Sequence, residues 1–304
     1  MAGKDLLQKL RRLRPAVEFP SDAEETLEEV HKFLSAKMVT NHNDATHEVM
    51  ANYSDWWDSP SAPGPKYLAI SDDLHVDRLH EKMGQMYDMG APLTLGEKRS
   101  SEFKFTQEIE IRGNKDTGRT MDPQDLVGPK SKFLELIGNV MVELYPSLDS
   151  LHLFVLDGSG QNHHVGAPET FIRLVWTDII VNKKRAQSIF DTLRKRLLKT
   201  ECVEVKNLET DAKQLSDANC WKSFLKEIVY AKEHPIRMVY NDSVSEPPLQ
   251  RPENRPLKPL YIYEFRQKGG RLESFEPMNF DSMSRMDLAG IASIRKNGGT
   301  DLTP

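Results

Sequence analysis

The chain has 304 residues, 38% of them hydrophobic and 29% charged, and carries a net charge of −5. That length can bury a substantial core, as one large domain or two small lobes. The negative balance excludes a global basic field, so nucleic acid would have to be held by a local patch. Two cysteines, Cys202 and Cys220, exclude a cysteine-rich zinc module and point to a reducing, intracellular compartment, with nucleus, mitochondrion and cytoplasm left open. No apolar run approaches the ~20 residues of a membrane span, and no signal peptide is visible. A membrane partner is therefore not expected.

The chain opens on a basic amphipathic stretch, LLQKLRRLRP, which reads as a surface helix, with a mitochondrial presequence as the alternative. Ser21 and Glu24 form a capping-box pair, followed by a helical face of Leu27, Val30, Phe33, Leu34 and Met38. Asn52 to Pro65, with Trp56, Trp57 and three prolines, reads as a loop. Asp72 to Met89 is predicted as a second helix through Leu74, Leu79, Met83 and Met86. Residues 1–95 are thus expected to form an N-terminal helical extension.

Phe103 to Ile111 alternates, with Phe103, Phe105, Ile109 and Ile111 on one face and Lys104, Thr106, Glu108 and Glu110 on the other. Two carboxylates two residues apart on a strand project the same way, roughly 6–7 Å apart. Their repulsion requires either solvent or a cation, so a solvated strand face and a metal site are both open. Phe133, Leu136, Ile137, Val140, Met141 and Leu144 mark an amphipathic helix.

Leu151 to Leu156 is nearly unbroken apolar and reads as a buried strand, ended by Asp157-Gly158-Ser159-Gly160. Phe171 to Val181 is a second apolar run with Arg173 inside it. A lone buried charge is very costly, so Arg173 requires an anionic partner, either a carboxylate or a bound phosphate. The helix that follows puts Ala186, Ile189, Phe190, Leu193 and Leu197 on one face and Lys184, Arg185, Arg194, Lys195 and Arg196 on the other. The adjacent His163-His164 with Asp157 reads as a solvated loop in preference to a metal cluster.

Lys206 to Ala218 reads as a polar loop, Trp221 to Tyr230 as helix passing into strand, and Pro235 to Tyr240 as a strand with a second embedded arginine, Arg237. The proline-rich stretch 247–256 is expected to run extended over the surface. Leu260 to Phe265 is a closing strand, and 267–304 reads as a tail. Phe103–Ile111, Leu151–Leu156, Phe171–Trp176 and Pro235–Tyr240 are expected to share one sheet. The fold class is α+β, a mixed or antiparallel sheet with packed helices over 96–266.

The order LDGSG, loop, TFIRLVW, IIVNKKRAQSIFDTLRK resembles the middle of the archaeo-eukaryotic primase superfamily, in its eukaryotic and viral primase-polymerase branch. There a Leu-Asp-Ser-Ser strand precedes Lys-x-Ser-x-His-Leu-Ile-Phe; this chain has Glu169 for that lysine and Phe171-Ile172-Arg173 for Ser-x-His. The resemblance covers roughly residues 100–265. It implies Glu108-Ile109-Glu110 in place of the first acidic motif, and LKEIVYAKEHPIRMVY around the third, with Lys226 in the aspartate's position and Glu227 beside it. Strand alternation lets only one of those two face the site.

An active relative would be a nucleotidyltransferase, a DNA or RNA primase or polymerase serving DNA replication. It would hold magnesium or manganese on the catalytic carboxylates Glu108, Glu110 and Glu227, and nucleoside triphosphate on Ser159, Arg173 and Arg237. Asn241-Asp242-Ser243 replaces the family's Ser-Ser-Lys. With all three motifs substituted, the resemblance favours a catalytically degenerate protein with a role in nucleic-acid binding or in assembly with replication proteins. Lys184, Arg185, Arg194, Lys195 and Arg196 are then the basic footprint on DNA or RNA, with a solvated helix face as the bland alternative. An unrelated α+β interaction module is the third reading.

Overall fold

The computed structural model describes residues 2–49, 66–163, 165–226, 235–244 and 252–295. In chain order the elements are α1 (Ala2–Leu13), α2 (Ala23–Ser35), β1 (Met38–Val39), β2 (His47–Val49), β3 (Lys66–Leu68), α3 (Asp73–Asp88), β4 (Leu95–Glu97) and β5 (Glu102–Arg112). There follow α4 (Pro123–Val127), α5 (Lys132–Leu144), β6 (Ser150–Asp157), β7 (Gly160–Asn162), β8 (Ala167–Asn182), α6 (Lys183–Leu198), α7 (Val203–Leu215) and α8 (Trp221–Phe224). The chain closes through β9 (Leu225–Lys226), β10 (Ile236–Arg237), β11 (Lys258–Lys268), β12 (Arg271–Met278) and α9 (Arg285–Ala292). The class is α+β, with antiparallel sheets and packed helices.

Two compact units divide the chain, and neither is continuous in sequence. The first comprises Met1–Lys98, Pro235–Leu257 and Ser284–Ser293. Helices α1, α2 and α3 of the helical extension expected for 1–95 lie in it together with a sheet in the order β1-β3-β2-β4-β10. The basic opening stretch is the amphipathic helix α1, which buries Leu6, Leu7 and Leu10 and packs on α2. The expected Ser21 box is absent; Asp22 occupies the N-cap of α2 and makes no side-chain cap bond. Asp72 caps α3 by accepting from the His75 N–H at 3.0 Å, and Val76, Leu79, Met83 and Met86 are its buried stripe. The loop expected from 52 to 65 lies outside the described residues.

The second unit comprises Arg99–His234, Lys258–Met283 and Ile294–Pro304. Its sheet runs β12-β11-β6-β8-β5-β9, with β7 hairpinned onto β8, and every pairing is antiparallel. Phe105, Trp176, Leu153 and Tyr263 lie in one cross-strand row. Phe265 follows on the same face, and its ring lies against Gly138 of α5, so close that a Cβ there would collide with it. This is therefore the helix-covered face. Onto it α6 turns Ile189, Phe190, Leu193 and Leu197, all buried, each contributing about 2 kcal/mol of apolar burial. Caps define helices α5 and α6: Ser131 accepts from the Leu134 N–H at 3.1 Å, and Asn182 from the Arg185 N–H at 2.9 Å.

Three further expectations need correction. The polar loop predicted over 206–218 is helix α7, whose Val205 and Ala212 are buried. The region expected as a tail from 267 holds β12 and α9; the Gly269-Gly270 turn, with φ of +57° and +79°, reverses the chain into the hairpin. Finally, the strand expected over Pro235–Tyr240 is reduced to Ile236–Arg237 and pairs with β4 in the first unit's sheet, so it does not share a sheet with β5, β6 and β8.

Candidate functional site

The face of the second sheet opposite α5 and α6 carries the charged residues. One cross-strand row, Leu156, Arg173, Glu108 and Lys226, spans β6, β8, β5 and β9. Glu110 is one step along β5 on the same face and opposite Phe171, so it is diagonal to Arg173, Glu169 and Lys226. Diagonal neighbours on a sheet lie within reach of long side chains.

Both acids of the predicted pair are taken by cations of the chain. Arg173 donates from Nε to Glu108 Oε1 at 2.9 Å, and its Nη2 bonds the same oxygen. The pair is deeply buried, with 4% of the arginine side chain and 12% of the glutamate exposed. The Arg173 guanidinium also lies over the Phe171 ring, 5.8 Å from its centroid. The anionic partner that a buried arginine demands is thus a carboxylate of the next strand.

Lys226 Nζ lies 2.7 Å from Glu110 Oε2. Burial pushes the Glu110 carboxyl up from its ordinary range, the Lys226 ammonium opposes this, and the Glu169 and Glu108 carboxylates reinforce it. Glu169 is buried and accepts from Asn162 Nδ2 at 2.6 Å across the β7–β8 hairpin. Glu169 and Asn162 were not predicted as site residues. The β5–β8 register that sets Glu169 diagonal to Glu110, and the hairpin that brings Asn162 to Glu169, are not visible in the sequence, although Glu169 stands where the resembled motif has a lysine. Glu227 lies outside the described residues.

The other predicted nucleotide contacts have structural partners. Ser159 donates its N–H to Asp157 Oδ1 at 2.8 Å, and its hydroxyl oxygen accepts from the Phe171 N–H at 3.0 Å, closing the turn after β6. Arg237 is buried in the first unit, where Nη1 donates to the Arg255 carbonyl at 3.1 Å. It is not on the sheet that carries Glu108 and Arg173. The Asn241-Asp242 step that follows the turn at Val239-Tyr240 is buried. Asn241 accepts from the Leu95 N–H at 2.8 Å, and Asp242 accepts from the Asn254 and Arg255 N–H groups at 2.9 and 2.7 Å.

The basic residues of α6 separate into two groups. Arg196 pairs with Glu143 at 2.7 Å, and Arg185 lies over the Tyr145 ring at 5.4 Å, so both lean towards α5. Lys184 and Lys195 are exposed and line a shallow open hollow with Lys183, Gln187, Ser188 and Thr192, interrupted by Asp191. Arg194 is half-buried on the flank of this surface.

Two glutamates that each hold a lysine or arginine do not fit a pair of divalent ions. A metal entering here would have to displace the Lys226 ammonium from Glu110 and compete with Arg173 for Glu108. Among the described residues, no three His, Cys, Asp or Glu side chains are gathered with metal-ligating geometry, and no helix is long and apolar enough to cross a membrane. No protein-family model matches the chain, and no curated protein matches it in sequence.

Proposed function

We propose that this chain is a primase-polymerase-like protein whose catalytic positions have become internal ion pairs, and that it binds nucleic acid through the outward face of α6. The observation that carries the first half is the Lys226 ammonium, 2.7 Å from Glu110, at the position where the resemblance puts a metal-binding aspartate. Polymerisation in that family depends on carboxylates free to hold two cations, and here they serve the fold.

The second half is supported by Lys183, Lys184 and Lys195 around the hollow of α6, with Gln187, Ser188 and Thr192 as neutral hydrogen-bonding groups. Among the described residues, no aromatic side chain lines that surface. Single-strand binders stack bases on aromatic rings, so this face is suited to the phosphate backbone and to sequence-independent contact.

Fluorescence anisotropy with a short labelled duplex over a range of salt, run beside primer extension in manganese, tests both halves. Expected are binding that weakens steeply with salt and no nucleotide addition. Nucleotide addition by the wild type that disappears in Glu110→Ala would restore the enzyme reading. No binding at low salt would leave the assembly or interaction role.

A further inference from the structure

The outward stripe of α6 has a charge order as well as a charge. Ile189, Phe190, Leu193 and Leu197 are buried against the sheet. By helical periodicity, the line opposite them runs through Lys184, Ser188, Asp191 and Lys195, all exposed. The two lysines stand three turns apart on that line, roughly 16 Å along the helix axis. Among the described residues neither is held in an ion pair, unlike Arg196. Between them the stripe turns neutral at Ser188 and negative at Asp191, which accepts from Gln187 Nε2 at 3.3 Å. A row of phosphates running along the helix would meet the Asp191 carboxylate and be repelled by it. The order instead fits a polyanion that presents phosphates at both ends of the stripe and uncharged groups between.

We infer that α6 seats across the major groove of B-form DNA, with Lys184 on the phosphates of one strand, Lys195 on those of the other, and Ser188 and Asp191 over the base edges. The inference rests on the nucleic-acid reading of α6 and names its substrate, a DNA duplex in preference to RNA or a single strand. The B-form major groove is about 12 Å wide and admits an α-helix, so phosphates on its two rims stand at about the separation of the two lysines. The major groove of an A-form RNA duplex is too deep and narrow for side chains to read. A single strand offers one row of phosphates, and its bases stack on aromatic rings. Cytosine and adenine present amino groups in the major groove, and these are donors that the Asp191 carboxylate can accept. Groove width and phosphate position set the seat, so it requires no particular base sequence.

The test is fluorescence anisotropy with the full chain at about 0.1 M salt, using probes of one sequence. They are a DNA duplex, the same duplex carrying glucosylated hydroxymethylcytosine, whose neutral sugars fill the major groove, the RNA duplex and the DNA single strand. One phosphate contact is worth about tenfold in affinity at this salt, so the plain DNA duplex should bind about tenfold tighter than each of the others. Lys184→Glu and Lys195→Glu should each remove that advantage, because either lysine alone reaches one strand only. Both positions are exposed, and circular dichroism checks that the variants fold. Equal affinity for the plain and glucosylated duplexes overturns the groove seat, as does an RNA duplex or single strand bound as tightly as the plain duplex. In those cases, binding that still weakens in the lysine variants leaves the nucleic-acid reading of α6 standing. Discrimination that survives in both lysine variants places the contact on another face and overturns the inference. If no probe binds even at low salt, the reading of α6 fails and the groove seat with it.

Discussion

Replacing Arg173 by methionine separates a structural role for the charged row from a catalytic one. The arginine is 4% exposed and its Glu108 partner 12%, so neither charge is rehydrated when the other is removed. Deleting one partner of such a pair costs about 3–5 kcal/mol, because a buried charge is left uncompensated. At roughly 2–4 °C per kcal/mol for a unit of this size, the melting midpoint should fall by roughly 10 °C. The double variant Glu108→Leu/Arg173→Met removes both charges and keeps apolar volume, and should melt within a few degrees of the wild type. Circular dichroism melts of the wild type, both single variants and the double variant close a mutant cycle. If Arg173 instead exists to hold a triphosphate, Arg173→Met should melt like the wild type. That outcome, or a double variant as unstable as Arg173→Met, would refute a structural pair.

Lys184→Glu/Lys195→Glu should weaken binding to a short duplex and lower the magnitude of the log–log salt slope by about 2 through the two lost phosphate contacts. Arg196→Glu, whose native side chain already faces Glu143, should change the slope less; anisotropy titrations at several salt concentrations compare them. Gly138→Ala should destabilise the chain by about 1–3 kcal/mol despite the better helix propensity of alanine, since the new methyl meets the Phe265 ring; urea melts measure it. The hydrogen bond to Asp178 holds the His152 imidazole above its ordinary value of 6.5, against the opposing effect of burial. Because the folded pKa is the higher one, this pair contributes stability that is fully present below about pH 6.5 and lost as pH rises through the folded value. Both side chains are about a third exposed, so the contribution should stay below about 1 kcal/mol, read as the wild-type minus His152→Asn difference in urea melts at about pH 5.5 and 8.5.

Local pattern was the strongest guide to the second unit. The alternation of Phe103 to Ile111 reflects a strand with two chemically different faces, and β5 presents them as expected. The face expected to meet solvent if no metal sat there is instead largely covered, with Thr106 and Lys104 buried. Helix α7 was hidden by its many charges, although Val205, Leu208, Ala212 and Leu215 recur at helical spacing. Strand β12 was announced by Gly269-Gly270 between two strand-like runs, a hairpin signal that composition alone masks.

The sequence by itself determined that Arg173 needs an anion, because a buried guanidinium is costly whatever surrounds it. It also determined that only one of Lys226 and Glu227 can face the acidic pair, because side chains alternate along a strand. Which anion and which residue were decided by pairing between strands far apart in the chain. Glu108 is opposite Arg173 across 65 positions, and opposite Lys226 on its other side. The same non-local choice put Arg237 in the other sheet: its strand is two residues long and hydrogen-bonds to β4, and nothing in the local sequence distinguishes that edge from the edge of β5. Periodicity reports which face a side chain occupies, whereas register and sheet membership depend on where distant strands meet.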